Sequence, residues 1–130
     1  MGLDMYLVED TGCDSLENFE YEGSLVYWRK VNSVHKYFCN VGEEIEASVL
    51  YRVYREDLLN LIENINIIFE KEGFERNIMA KILLPTMSGF FFGSTEYSEH
   101  YYDDLRYTKE KLSGLLNYDE SNTFLYYASW

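Results

Sequence analysis

Proline and cysteine are almost absent from this sequence of 130 residues, which contains one proline and two cysteines. With so little proline and only eight glycines, no stretch has the composition of a flexible linker, so we expect one globular domain over residues 1–130. Cys13 and Cys39 form neither a CxxC pair nor a metal-ligand spacing, and a chain of this length needs no disulfide to fold. We therefore expect free thiols, no metal and no cofactor.

Long apolar runs and basic residues are also scarce. No run approaches the roughly 20 apolar residues that span a bilayer, and the first residues lack the basic region of a signal peptide. We therefore expect a cytoplasmic protein without membrane contact. Lys and Arg total 11 against 23 Asp and Glu, which gives a net charge of −12. This charge disfavours direct nucleic-acid binding and favours a basic protein partner.

Hydrophobic residues make up 47% of the chain, and their periodicity predicts both strands and helices. Strands are expected over 3–8, 47–54, 90–92 and 123–130, and helices over 25–41, 55–72 and 96–116. The stretch 82–84 fits either a short strand or the last turn of a helical segment that Pro85 ends. The expected class is α+β, a small mixed β-sheet of about four strands with three helices mainly on one face.

The first candidate site lies on the helix predicted over 25–41. At helical spacing Trp28, Asn32 and His35 stack on one stripe, where they would offer a ligand an aromatic surface, an amide and a titratable base. Arg29 and Lys30 would neutralise an anionic ligand. The structural alternative is that the tryptophan and the histidine pack at the margin of the core.

The second candidate is the segment Thr86–Ser94, which has small residues ahead of a helix start. The hydroxyls of Thr86, Ser88 and Ser94 and the nearby backbone amides are typical of an anion-binding turn. The segment lacks the lysine of a phosphate-binding loop, and the three phenylalanines at 90–92 favour a buried strand instead.

The third candidate is an acidic surface. It combines carboxylates on the outer face of the helix predicted over 96–116 with carboxylates of an acidic loop over 9–24: Glu96, Glu99, Asp103, Asp104, Glu110, Glu17, Glu20 and Glu22. Exposed carboxylates are poorly suited to acid–base catalysis, and no nucleophile motif is present, so we expect no catalytic residue. The surface would suit a basic groove built for phosphates, or it is an ordinary solvated face.

Four blocks of the sequence resemble a family of small uncharacterised proteins common in bacteriophages and prophages. The blocks are GLDMYL (2–7), YWRKVNSVHKYF (27–38), LLPTMSGFFFGSTEYSEHYYDDLRYTKEKL (83–112) and YYASW (126–130). Some members carry a phosphoglycerate kinase label, which no nucleotide signature in this chain supports. The resemblance implies a mobile-element origin and a bacterial host cytoplasm, and it implies no activity.

Two functional hypotheses follow. By analogy with other small acidic proteins of mobile elements, the first is a non-enzymatic inhibitor of a host defence system, of the anti-CRISPR type. Its carboxylates would bind the nucleic-acid groove of a basic protein, such as a host defence nuclease effector. The alternative is a small-molecule or nucleotide-binding protein, enzyme or not, that uses the Trp28 cluster and the Thr86–Ser94 segment. The tyrosine-rich surface also leaves a homodimer open.

Overall fold

The computed structural model describes residues 2–10, 24–42 and 45–130. Over these residues the chain forms a four-stranded sheet of β1 (Asp4–Glu9), β2 (Val26–Arg29), β3 (Leu50–Tyr54) and β4 (Thr123–Ser129), in the order β2-β1-β4-β3. The same residues include four helices: α1 (Asn32–Gly42), α2 (Arg55–Glu70), α3 (Gly73–Leu83) and α4 (Glu99–Tyr118). The predicted α+β class is confirmed, with one helix more than expected.

Neighbouring strands of the sheet are all antiparallel, rather than mixed as the sequence suggested. Met5 lies opposite both Trp28 and Ala128, and Leu7 lies opposite both Val26 and Tyr126. Side chains alternate along each strand, and these residues point to one buried face. Such alternation is typical of antiparallel sheets, whereas parallel strands are apolar on both faces.

The helices pack on this buried face. Phe38 of α1 stacks on Tyr126 of β4, with the ring centroids 4.3 Å apart. From β2, the indole N–H of Trp28 donates a hydrogen bond of 2.9 Å to Thr108 Oγ1 of α4. In α2, Leu58, Leu61, Ile65 and Ile68 are buried at helical spacing. α3 packs against α2 at the outside of this layer.

The predicted helix over 25–41 is wrong at its start, because residues 26–29 form β2. Lys30 has a positive φ of 56°, which ends the strand and turns the chain into α1. Trp28 therefore lies on a strand, whereas Asn32 and His35 lie on a helix. The predicted helical stripe of these three residues does not exist.

The predicted strand over 90–92 is a turn. The Phe92 N–H donates to the Gly89 carbonyl at 3.2 Å, and Phe91 has a positive φ of 65°. Phe92 is buried, whereas Phe90 is 87% exposed and Phe91 is 48% exposed. The open alternative for 82–84 resolves as helix, because α3 ends at Leu83 just before Pro85.

Among the described residues, no helix combines the length and the apolar character needed to cross a bilayer. α4 begins at Glu99 rather than at 96, so Glu96 precedes the helix. This shift leaves an irregular segment, residues 84–98, between α3 and α4, and that segment builds the candidate site.

Candidate ligand-binding cleft

Asn32, at the start of α1, fixes the 84–98 segment with both ends of its side-chain amide. Its Nδ2 donates to the carbonyls of Phe92 and Ser94 at 3.0 and 2.9 Å, and its Oδ1 accepts the N–H of Met87 at 3.0 Å. The residue is 3% exposed. An asparagine with all these bonds made is a structural cross-link between helix and segment.

Two tyrosines hold the same segment from the other side: Tyr97, which lies just before α4, and Tyr101, which lies in its first turn. Tyr101 donates its hydroxyl hydrogen to the Leu84 carbonyl at 2.7 Å, and Tyr97 accepts the Thr86 N–H at 3.1 Å. The Thr86 hydroxyl donates to the Thr95 carbonyl at 3.0 Å. The segment is therefore anchored to both helices even though it has no regular secondary structure.

A cleft of about 230 Å³ lies between the first turns of α1 and α4, with the 84–98 segment as its third wall. Its polar lining comes from all three walls. It includes Lys30, Ser33, Ser94, Ser98, His100 and Asp104. The fold thus brings cationic, hydroxyl and carboxylate side chains together at one cleft.

The first turn of α1 has no cap among the described residues. The carbonyl of Val31 accepts the first helical hydrogen bond, from His35 N–H at 3.1 Å, so Val31 occupies the capping position. Valine has no side-chain acceptor, and this first turn contains no acidic residue. The N–H groups of residues 32–34 consequently find no acceptor within the described chain.

The first turn of α2 differs from that of α1. It contains Glu56 and Asp57, and the Asp57 carboxylate accepts the N–H of Tyr54 at 2.9 Å. These carboxylates compensate the positive end of the helix dipole. α1 has no such compensation, and its uncompensated end is the one that lines the cleft.

At the α4 wall, His100 and Asp104 form a pair one turn apart. His100 Nε2 lies 3.5 Å from Asp104 Oδ2. Burial raises the pKa of the Asp104 carboxyl, the nearby His100 lowers it, and the negative charge of Asp103 raises it again. The net direction is upward, so Asp104 takes up a proton more readily than an exposed aspartate does.

The structure separates the predicted ligand-binding residues into three groups. Asn32, Thr86 and Ser94 line the cleft. Trp28 and His35 are each 1% exposed and belong to the core.

Two further predicted residues lie away from the cleft lining. Arg29 is on the sheet, paired with Asp4 at 3.1 Å, and Ser88 is an exposed residue of the 84–98 segment.

His35 is held in the core by two neighbours. Its Nδ1 is 2.6 Å from the Tyr126 hydroxyl, and its Nε2 is 3.6 Å from Cys39 Sγ. Burial lowers the pKa of His35 to about 4 and raises the pKa of the Cys39 thiol. Both groups are thus neutral at physiological pH, which is the opposite of an activated cysteine–histidine pair.

The acidic surface is partly neutralised on α4. Arg106 Nη1 lies 2.8 Å from Asp103 and 3.9 Å from Glu99, and its guanidinium also stacks over the Phe69 ring at 4.9 Å. Glu96 and Glu110 are exposed. Glu96 and Asp104 also line the cleft. The predicted loop carboxylates Glu17, Glu20 and Glu22 lie outside the described residues.

The chain has no match among the family models, the curated proteins or the solved structures with which it was compared. Over residues 2–10, 24–42 and 45–130, no three His, Cys, Asp or Glu side chains form a group that could hold a metal ion.

Ser33, Ser98 and His100 were not predicted as site residues from the sequence. A local signal was available for Ser33. A helix start without a capping side chain or a carboxylate leaves its first N–H groups without acceptors. That signal requires the correct start of α1, which periodicity placed seven residues too early.

Proposed function

We propose that this protein binds a small polar ligand in the cleft between the first turns of α1 and α4. The observation that supports this proposal best is the convergence of two helix N-termini, Lys30 and His100 on one side-chain-lined cavity. At about 230 Å³, this cavity is smaller than the roughly 300–1,000 Å³ of sites for drug-sized ligands. The ligand is therefore a small metabolite rather than a dinucleotide.

The lining also limits the chemistry of the ligand. Lys30 and the helix N-termini favour an anionic group, whereas Glu96 and Asp104 favour hydroxyl or amino groups that donate hydrogen bonds. A molecule with an acidic group at one end and hydroxyls at the other satisfies both. This proposal concerns binding and assigns no catalytic step.

A thermal-shift screen with anionic, neutral and cationic metabolites tests the proposal. Ser98→Trp would narrow the cleft without removing a hydrogen bond, because the Ser98 side chain makes no capping bond. Asn117→Trp, on the exposed far end of α4, is the matched control. We expect at least one metabolite to raise the Tm of the wild type and of Asn117→Trp but not that of Ser98→Trp. A complete absence of stabilising ligands, or equal stabilisation of all three proteins, would contradict the proposal.

As a second function we propose inhibition of a basic protein partner, such as a host defence nuclease effector, in the bacterial cytoplasm. The net charge of −12 supports it, as do the side chains of Glu99 and Asp103, which are 88% and 67% exposed. Arg106 weakens this acidic surface, since it pairs with both carboxylates. The two proposals are compatible, because these carboxylates do not line the cleft.

Nuclease assays with RNA-guided effectors test the second function. Arg106→Gln should strengthen inhibition, because it removes the cation that neutralises two carboxylates. Reversal of Glu99, Asp103 and Glu110 to lysine should abolish inhibition. Inhibition should also weaken as the NaCl concentration rises. Undiminished inhibition by the reversed variant would count against this surface.

A further inference from the structure

We infer that the α1 end of the cleft is an oxyanion subsite that binds the phosphate group of a small phosphomonoester. The subsite consists of the Lys30 ammonium, the Ser33 hydroxyl and the free N–H groups of the first turn of α1. This inference rests on the proposed function of the cleft and adds the chemical class of its ligand.

The first reason is the unpaired positive end of α1. An α-helix carries roughly half a positive charge at its N-terminus, and its first N–H groups need acceptors. In α1 neither a capping side chain nor a first-turn carboxylate supplies them. An anion in the cleft would supply the missing acceptors, as it does at phosphate-binding helix N-termini generally.

The second reason is the Ser33 hydroxyl, which is independent of the helix dipole and of the backbone N–H groups. Ser33 is only 3% exposed, yet it lines the cleft. Within the described chain, no hydrogen-bond partner of its hydroxyl is found. Among the described residues, the one enclosed side-chain atom without a partner is Asn66 Oδ1, so the Ser33 hydroxyl is open to the cleft rather than sealed in the core. A ligand oxygen in the cleft would satisfy it.

The third reason is the placement of Lys30. A methyl group added to Gly93 would lie 3.1 Å from Lys30 Cβ, and one added to Gly2 would lie 2.9 Å from Lys30 Cε. The lysine stem thus passes between two glycines, and its own φ of 56° is in a region that costs a non-glycine residue energy. Among the described residues, no carboxylate lies within ion-pair distance of its ammonium.

Phosphate fits this arrangement better than a carboxylate does. The three kinds of donor come from a side-chain amine, a hydroxyl and consecutive backbone amides, and a tetrahedral phosphate can accept from all of them. Glu96 and Asp104 on the remaining lining disfavour a second anionic group. The ligand is therefore a monoester with hydroxyl or amino groups away from the phosphate, or free phosphate itself.

Calorimetric titration with three probes tests the inference: ribose 5-phosphate, inorganic phosphate and uncharged ribose. We expect ribose 5-phosphate to bind and ribose to bind at least about tenfold more weakly, as loss of a charge-assisted hydrogen-bond set predicts. If inorganic phosphate binds and ribose 5-phosphate does not, the oxyanion subsite is supported and its ligand is free phosphate.

Variants locate the binding. Lys30→Gln and Ser33→Ala should each weaken ribose 5-phosphate binding, the lysine variant by about tenfold or more and the serine variant by about three- to tenfold. Lys36→Gln, on α1 but not at the cleft, is the control and should bind within about twofold of the wild type. Ser33→Ala removes one unpaired hydroxyl and should fold normally, so the test does not depend on the lysine variant alone.

The outcomes distinguish the two proposals. If ribose binds as well as ribose 5-phosphate, or if Lys30→Gln and Ser33→Ala bind as the control does, the oxyanion subsite is wrong while the cleft proposal stands. If neutral, cationic and anionic metabolites all fail to bind, the cleft proposal is wrong as well.

Discussion

Four polar residues, Asn32, Ser33, His35 and Thr108, are buried among the described residues, and their partners distinguish structure from site. Asn32 is hydrogen-bonded to the 84–98 segment, and His35 to the Tyr126 hydroxyl. Thr108 accepts a hydrogen bond from the Trp28 indole. Of these four residues, Ser33 alone has no hydrogen-bond partner for its side chain within the described chain. Its hydroxyl lies in the cleft lining. At the residue scale, this difference separates groups that hold the fold from a group available to a ligand.

Asn32→Ala should destabilise the protein by about 2–4 kcal/mol, because it leaves two carbonyls and one N–H without their partner. Urea denaturation measures the loss. Exchange of the Met87 amide hydrogen should also accelerate, since that N–H donates to Asn32 Oδ1. Asn60→Ala, at an exposed position of α2, is the control and should change stability by less than about 0.5 kcal/mol.

His35 should make stability depend on pH. Its pKa is about 4 in the fold and 6.5 in the unfolded chain, so the unfolded chain takes up a proton first as the pH falls. The stability contributed by the neutral imidazole is therefore complete above pH 6.5 and is lost as the pH approaches 4. Over that range the free energy of unfolding should fall by up to about 3 kcal/mol more in the wild type than in His35→Gln.

Urea denaturation of both proteins at several pH values gives this difference directly. Carboxylates titrate in both proteins, so their contribution cancels in the comparison. Parallel stability curves for the two proteins would show that His35 is protonated normally in the fold.

At the scale of elements, the 84–98 segment depends on a glycine in the left-handed region. Gly93 has a φ of 85°, and a Cβ there would lie 3.1 Å from Lys30 Cβ. Gly93→Ala should therefore cost about 1–2 kcal/mol. Gly114, within α4, has open space around it, so Gly114→Ala should stabilise by about 0.5–1 kcal/mol.

Thermal unfolding of the two alanine variants checks this pair, because the predicted shifts in Tm have opposite signs. A stabilised Gly93→Ala protein would mean that residues 92–94 adopt another backbone conformation and that Lys30 is not confined as described.

Some elements were predictable from the sequence because local pattern and tertiary packing agree. α2 has buried residues at helical spacing, and it ends within two residues of the predicted helix end. β4 consists mostly of aromatic and apolar residues and begins at the predicted residue, Thr123. β2 was missed because Val26 to Arg29 continues the apolar spacing of the following helix. Pairing with β1 determines its strand conformation, and periodicity along the chain contains no information about that pairing.

The cleft was predictable only in part. Asn32, Thr86, Ser94 and Lys30 were identified from residue type. Glu96 and Asp104 were assigned to an outer acidic surface instead, and His100 was not identified. Their proximity depends on hydrogen bonds between residues about 55–62 positions apart, such as those of Asn32 with Met87 and Ser94. Contacts of that sequence separation have no local signal in one sequence.

At the scale of the whole molecule, the net charge of −12 should oppose folding through repulsion among carboxylates. Added NaCl screens this repulsion, so the free energy of unfolding should rise between low and high NaCl concentration. Urea denaturation at the two concentrations measures the change. A decrease instead would mean that ion pairs such as Arg29–Asp4 outweigh the overall repulsion.

The most direct test of the central claim is the mapping of backbone amide chemical shifts during titration with ribose 5-phosphate. A ligand in the cleft should move the amides of Ser33 and Val34, at the uncapped start of α1, and the amide of His100 on the opposite wall. The amides of Glu56 and Asp57, in the compensated first turn of α2, should move little. Shifts confined to that control helix, spread evenly over the surface, or absent at saturating ligand would contradict the account.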